Sequence, residues 1–579
     1  LIAHRGPDDE GFYHGDNFSL GHRRLSIIGL GEEGHQPMEF QSKYVISYNG
    51  EIYNYIEIRE ELKALNHQFI TNTDTEVILA AYDQWGENCV EKFNGMWSFC
   101  IYDKDKKLLF CSRDRFGIKP FYFTEVGDQF IFGSEIKQLL PFLDKKLVNK
   151  NILLDFIIIG FEEHTNETFF EGIRKLPAGH NLMYDLSAHS YSVEPYYSIS
   201  INNELKTLSK SEAVATYGKI FKDAVKLRLR SDVKVGTCLS GGLDSSSVSA
   251  LSSQYYDSTG ESFNAIHAKS TESASDESNY AQKVAEHCKL NLHVIEPSTE
   301  DFKSLIDEVV YTQEEPFGSP SIFMQYFVLK KAKEINCIVM LDGQGGDETL
   351  LGYEKYYPSY LMHLSGSKRL KEFFNSSKNS RLSKAELFKY LFYFTKYKVR
   401  LKRLLNRNHF IKSEFLNKFE SDILKELSHS YLDIEALQRF EMTSTQLPHL
   451  LKYEDKNSMR NSIETRLPFI DYKVVETALS INHEYKINSG WTKYILRKVI
   501  DSFLPKEVVW RKNKLGFNAP EHTWLKSLED EILTDIKNSK LLGELIDFSK
   551  LNLNNMNLRT KWKLYNIAKW EKIYHVEIN

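Results

Sequence analysis

Apolar and polar positions change rhythm part-way along the chain. Up to about residue 190, apolar residues come in short runs, alternating or unbroken, between turn residues. Residues 44–48, 97–102, 107–111 and 129–132 predict strands. Helical spacing intervenes at 55–65 and 75–85. In the second of these, Thr75 and Glu76 suit a first turn, and Val77, Ala80, Ala81 and Tyr82 line one face. This part reads as α+β. Residues 198–210 are polar and turn-rich, and predict a division between a domain at 1–197 and one at 205–579. Beyond it, strands at 233–239, 263–268, 291–295 and 337–341 alternate with helices at 246–256, 278–288 and 322–335. That order predicts an α/β domain with a parallel sheet and right-handed crossovers. Ligands of such sheets sit beyond the carboxyl ends of the strands.

Two glycine-rich strings fall at those ends. The first is Leu239-Ser240-Gly241-Gly242-Leu243-Asp244-Ser245-Ser246. Its glycines let the backbone turn tightly, and N–H groups at a helix start attract anions. Its serines add hydroxyl donors, and Asp244 can hold a cation beside phosphates. The string lacks the lysine of a GxxxxGK[ST] loop and resembles the pyrophosphate loop of ATP pyrophosphatases, which split ATP into AMP and pyrophosphate. The second string, Asp342-Gly343-Gln344-Gly345-Gly346-Asp347-Glu348, suits a nucleotide and a divalent cation. Asp244 and Asp347 together could hold Mg2+, which prefers oxygen ligands. Further on come Ser462 to Asp471, then Lys493 and Arg497, two cations one helical turn apart. A lysine beside a leaving pyrophosphate would offset the charge that develops there.

Composition narrows the picture. The chain has 579 residues, 42% of them hydrophobic, enough for two or three cores. A net charge of −5 argues against nucleic acid or an anionic membrane as the main partner. No apolar run is long enough to span a bilayer. The six cysteines are scattered with no CxxC, which predicts reduced, mostly buried thiols and a cytoplasmic setting. Residues 365–440 are rich in Lys, Arg, Leu and Phe at helical spacing. They read as a solvated helical insertion whose charge is balanced by Glu414, Glu420, Asp422 and Glu426.

Together these motifs, through Lys514 to Phe517, resemble the synthetase half of the glutamine-dependent asparagine synthetases. The first half resembles their glutaminase domain, an N-terminal-nucleophile amidohydrolase. It does so through His4 to Asp8, Gly21 to Ser26, Asn49 to Asn54, Thr73 to Val77 and Arg113 to Pro120. The resemblance implies ATP and Mg2+ as cofactors, and glutamine or ammonia, aspartate and ATP as small-molecule substrates. It implies no nucleic acid or membrane partner, and leaves the assembly open, a homodimer included. Arg24 and Asp74 would grip glutamine's α-carboxylate and α-amino group. Asn49 and the Gly50 N–H would form the oxyanion hole, with Glu51 lining the pocket. Leu239, Ser240, Gly241, Gly242, Leu243, Asp244, Ser245, Ser246, Ile266, Asp342 and Gly343 would bind ATP, and Lys493 its phosphates.

Three departures qualify the resemblance. The family's glutaminase uses a cysteine at the mature N-terminus, whereas this sequence starts at Leu1 and its first cysteine is Cys89. The expectation is either a truncated form or an inactive glutaminase. Gln344 stands where better-known synthetases carry glutamate, and an amide cannot act as a base. Asp342 stands where they often have serine. The expected reaction is ATP-dependent amidation of aspartate through an acyl adenylate. The alternatives are amidation of another carboxylate, such as a sugar acid, or a non-catalytic nucleotide-binding remnant.

Overall fold

The computed structural model describes residues 1–256, 262–273, 275–512, 519–553 and 556–578. The first half holds strands β1 (Asp9–His14), β2 (Ser19–Arg24), β3 (Met38–Phe40), β4 (Tyr44–Ile52), β5 (Gly95–Asp103) and β6 (Leu108–Arg113). Then follow β7 (Tyr122–Val126), β8 (Gln129–Gly133), β9 (Arg174–Lys175), β10 (His180–Asp185) and β11 (Ser190–Pro195). Six of them form an antiparallel sheet in the order β11-β10-β6-β5-β4-β3, and β8-β7-β9 form a smaller one. Nearly every position of β5 is buried because both of its faces are covered. Helices Tyr55–Ala64 and Asp74–Trp85 close one face over Ile46, Leu62, Val77 and Phe99. The smaller sheet closes the other, bringing Phe121 and Phe123 onto Val45, Cys100 and Leu109. The predicted α+β reading and its strands hold, with ends displaced by a few residues.

The second half holds five parallel strands: β12 (Val235–Cys238), β13 (Asn264–Ala268), β14 (Asn291–Ile295), β15 (Val339–Leu341) and β16 (Glu464–Arg466). Their order is β14-β13-β12-β15-β16. The direction of winding therefore reverses between β12 and β15, and the crevice that such a reversal opens is where ligands enter. Both glycine strings leave from that point. Helices Lys210–Leu227, Leu243–Tyr256 and Tyr494–Ile500 pack on one face with Val248, Val339 and Leu341. Thr299–Gln313, Ser321–Glu334 and Leu558–Tyr574 pack on the other.

The core does not stop at the segment expected to divide the chain. Helix Lys150–Ile158 buries Ile152, Leu153 and Phe156 in the same cluster as Trp562 and Trp570. Phe170 lies edge-on to Trp570 at 5.1 Å between ring centres. All six cysteines are unpaired, and among the described residues no helix is long and apolar enough to cross a membrane.

Candidate active site

The helix after β12 starts at Leu243, earlier than its apolar spacing predicted. Its first intrahelical bond runs from the Ser246 N–H to the Gly242 carbonyl, at 3.0 Å. The N–H groups of Leu243, Asp244 and Ser245 precede that bond and form the anion-attracting end. The loop braces itself. Ser240 N–H donates to Ser245 Oγ at 3.2 Å, and Gly242 N–H donates to Ser240 Oγ at 3.2 Å. Gly241 turns at φ +81°, and a Cβ there would press on the backbone of Ala281 and Glu277 at about 3 Å. Leu239 and Ile266 are joined by an N–H···O bond of 2.9 Å and are both buried.

The loop opens on a cavity of about 950 Å³. Asp342, Gly343, Gln344 and Asp347 line it from the second string. Lys493 reaches the same place from residues 249 positions away and is 2% exposed. Its ammonium bridges Asp244 and Asp347, 2.6 Å from the latter. The backbone of Lys493 sits in the left-handed region, φ +51°, just before helix Tyr494–Ile500. That turn sends Lys493 and Arg497 to different partners. Arg497 donates to the Thr492 and Val509 carbonyls and packs over Trp491, and burial lowers its pKa to about 10.

Glu162, Asp342, Glu354 and Glu454 also line the cavity. Asp342 is held by its neighbours' N–H groups, yet burial raises its pKa above the usual range. Glu454, 2% exposed on helix Gln446–Arg460, is pushed well above that range by burial and then by Asp342. Gln325 donates to its Oε2, and the Thr465 hydroxyl also interacts with the carboxyl.

Beneath the second string, helix Gly346–Thr349 hangs from Gln438, whose amide donates to the Glu348 and Thr349 carbonyls. Lys486 in turn donates to Gln438 Oε1 at 2.7 Å and to the Ala478 carbonyl at 2.8 Å. Among the described residues no carboxylate forms an ion pair with this fully buried amine, and burial, only partly offset by Glu435, lowers its pKa from 10.5 to about 7. Between those values the unfolded chain holds a proton that the folded chain does not. Stability from this group therefore rises as pH climbs from 7 to 10.5, and falls as pH drops back towards 7. Measured over that window, the melting point of the parent should gain on that of Lys486→Met. A constant difference between the two would refute this.

The first half contains a cavity of about 970 Å³. Arg24, Asn49, Gly50, Glu51 and Asp74 all line it. Arg24 is oriented by the carbonyls of Ile28, Gly29 and Gly31. Asp74 opens its helix and accepts from Tyr48 Oη at 2.9 Å and Ile52 N–H at 3.0 Å. Asn49 Nδ2 donates to Ser134 Oγ at 3.4 Å. Gly50 pairs with Trp97 across β4 and β5, so closely that a Cβ would run into the Met96 carbonyl. Burial, then Asp74, pushes the Glu51 carboxyl well above the usual range.

Two family models match the chain. One is described as asparagine synthase and covers residues 216–556; the other is a glutamine amidotransferase domain at 1–197. Asparagine synthetase 1 (glutamine-hydrolyzing) of Bacillus subtilis is 31% identical over 566 residues, spanning 93% of this chain and 85% of its own. Asparagine synthetase 3 (glutamine-hydrolyzing) of the same organism is 30% identical over 574 residues, spanning 94% and 89%. The chain belongs to the asparagine synthase family. It is thereby placed among the ATP-dependent, glutamine-dependent carbon–nitrogen ligases.

In this family member the two cavities share a wall. Helix Gln446–Arg460 turns Tyr453 and Glu454 to the synthetase cavity and Met459 to the glutaminase cavity. Asp455, between them, accepts from Arg5 at 2.8 and 3.1 Å. Arg466, fully buried, contacts Glu464 at 2.7 Å and Glu51 at 3.2 Å. Its carbonyl also receives the Asp342 N–H at 3.0 Å. The string Ser462 to Asp471 had no assigned role; it supplies β16 and this joint. Sequence reasoning missed Glu454 because a lone acid on an amphipathic helix carries no local signal. The expected contribution of Lys514 to Phe517 lies outside the described residues.

Proposed function

We propose that this ligase makes asparagine from aspartate, with ATP as activator and ammonia as the nitrogen donor, drawn from glutamine in a form that carries the family's N-terminal cysteine. The observation that carries this reading is the self-braced serine–glycine loop at the winding reversal, facing Asp347 and Lys493, in a chain of this family. An oxygen of aspartate's β-carboxylate attacks the α-phosphorus, and pyrophosphate leaves. Ammonia then adds to the acyl carbon, loses a proton, and expels AMP.

The roles follow from position and chemistry. The N–H groups of Leu243 to Ser245 and the hydroxyls of Ser240 and Ser245 donate to phosphate oxygens, while Leu239 and Ile266 flank the adenosine. Ser246, expected to join them, is fully buried and off the cavity wall because its helix turns it inward. Gly343 leaves room for the nucleotide, since a Cβ there would crowd the Ser245 N–H at 2.5 Å. Lys493 neutralises charge as pyrophosphate leaves, which favours the transition state over the bound ATP. Asp244 and Asp347 form an all-oxygen pair that suits Mg2+, with Gly346 and Gly352 packed against their carboxylates. Magnesium, when bound there, supplies positive charge against the phosphates. Arg24 and Asp74 hold glutamine, beside Glu51, and Asn49 with the Gly50 N–H stabilises its oxyanion.

Gln344 cannot take the proton from the attacking ammonia, and Glu454 supplies the base instead. A carboxylate with a raised pKa is a stronger base once deprotonated, and Glu454 lines the cavity beside Asp342. Glu454→Gln should lower kcat with ammonium by roughly 10²–10⁴-fold and remove the rise of kcat with pH. An unchanged pH profile would exclude the role. The test of the whole reading is product analysis with ammonium, ATP and a panel of carboxylates. Aspartate-dependent AMP and pyrophosphate are expected; ADP and phosphate, or release with another acceptor only, would refute it.

A further inference from the structure

The basic insertion does not behave as its composition suggested. Residues 366–410 hold 13 Lys and Arg against two acids, Glu372 and Glu386, in a chain whose net charge is −5. Both acids serve the fold. Glu372 is buried and accepts from the Gly490 N–H. Glu386 caps its own helix, accepting from Ser383 N–H and hydroxyl at 2.9 and 2.7 Å. The acids expected to balance the charge, Glu414, Glu420, Asp422 and Glu426, make no ion pair with these cations among the described residues. The ion pair present is Lys368 with Glu484, at 3.1 Å. Twelve of the 13 cations are exposed.

Apolar residues share that surface. Leu370 and Phe374 stand one turn apart on helix Gly366–Asn379, and Phe388 and Phe392 one turn apart on helix Lys384–Thr395. All four are more than half exposed. Phe388 and Phe392 touch, with ring centres 5.0 Å apart. The Lys384 ammonium lies 4.7 Å from the Phe374 ring and one turn before Phe388, which joins the two pairs into one patch. These residues are not an unfinished core. The inner sides of the helices are already satisfied: Leu387 is buried, and Phe394 stacks on Tyr431 at 4.8 Å.

We propose that this face docks on an anionic lipid bilayer. Its rings would enter the boundary between headgroups and acyl chains, with the surrounding lysines and arginines on lipid phosphates. An amphipathic helix with Phe and Leu on one side and a dense cationic border is the pattern that lies in that interface. Each cation adds attraction to an anionic leaflet that fades within a Debye length, so the net negative charge of the whole chain does not cancel it. Nucleic acid is the weaker fit, because Leu370 offers no face for a base to stack on, Phe388 and Phe392 contact each other and Lys384 lies over Phe374. Tyr393 on helix Lys384–Thr395, Arg381 in the loop before it and Arg407 at the end of the next helix, Tyr397–Arg407, line the synthetase cavity, so docking would set its mouth close to the bilayer.

The test is cosedimentation of the full chain with phosphatidylglycerol–phosphatidylcholine vesicles and with pure phosphatidylcholine vesicles. Binding to the anionic vesicles only, weakened by salt, is expected. Phe388→Ser with Phe392→Ser, and separately Lys389→Glu with Lys398→Glu, should each weaken it at least tenfold. Ammonium-dependent pyrophosphate release should stay unchanged, which shows that the variants are folded. Equal binding by parent and variants would overturn the proposal. So would absence of vesicle binding, whether the patch instead bound single-stranded RNA or drove self-association in size-exclusion chromatography.

Discussion

Asp244→Asn should release pyrophosphate at roughly 10⁻²–10⁻³ of the parent rate, with its circular dichroism unchanged. The carboxylate sits in the first turn of its helix, against the Lys493 ammonium, at the phosphate end of the loop. Asparagine keeps the shape and removes the charge. Lys493 keeps Asp347, so the buried lysine is not stranded and the fold survives. What is lost is the anchor for cationic charge where the phosphate oxygens must be neutralised, and that charge is needed most as pyrophosphate departs. The check is pyrophosphate release against Mg2+ concentration with ammonium as the nitrogen source. Near-parent turnover with the parent's Mg2+ dependence would remove Asp244 from the metal role.

Arg466→Met should cost about 3–5 kcal/mol of stability, because removing one member of a buried ion network leaves its partners charged and unpaired. Here the partners are Glu464 and Glu51, and the guanidinium also holds the Arg228 and Arg230 carbonyls. Burial already pushes Glu51 well above the usual carboxylate range, so it can relax by taking up a proton. Thermal melting followed with and without a second change, Glu464→Gln, separates the causes. The double variant should recover a large part of the loss, since it no longer buries that unpaired charge. A single variant that melts with the parent would show that the joint between the cavities contributes nothing to stability.

Much of this protein was legible along the chain. Strands β4, β5, β6 and β8, the parallel run of β12 to β15 and the two glycine strings follow from local rules, whereas β16 and the other strands of the first half were not singled out. Period-two and period-3.6 patterns, glycine where the backbone must turn, and serine at helix starts act within a few residues and survive without tertiary context. Arg24, Asn49, Gly50, Glu51 and Asp74, singled out through short strings that resemble the family's, all line one cavity.

Tertiary structure alone decided the rest. Asp244, Asp347 and Lys493 meet in one ion-paired group although Lys493 and Asp244 are 249 positions apart. No spacing rule spans that distance. Glu454 became a candidate base through burial beside Asp342, and burial depends on what packs around a helix. Helix Lys150–Ile158 looked like part of the first domain, yet it completes the core around Trp562 and Trp570. The basic insertion looked charge-balanced in sequence because acids lie nearby along the chain. In space those acids make no ion pair with its cations among the described residues, since Coulomb attraction acts on separation between atoms and not on position in the chain.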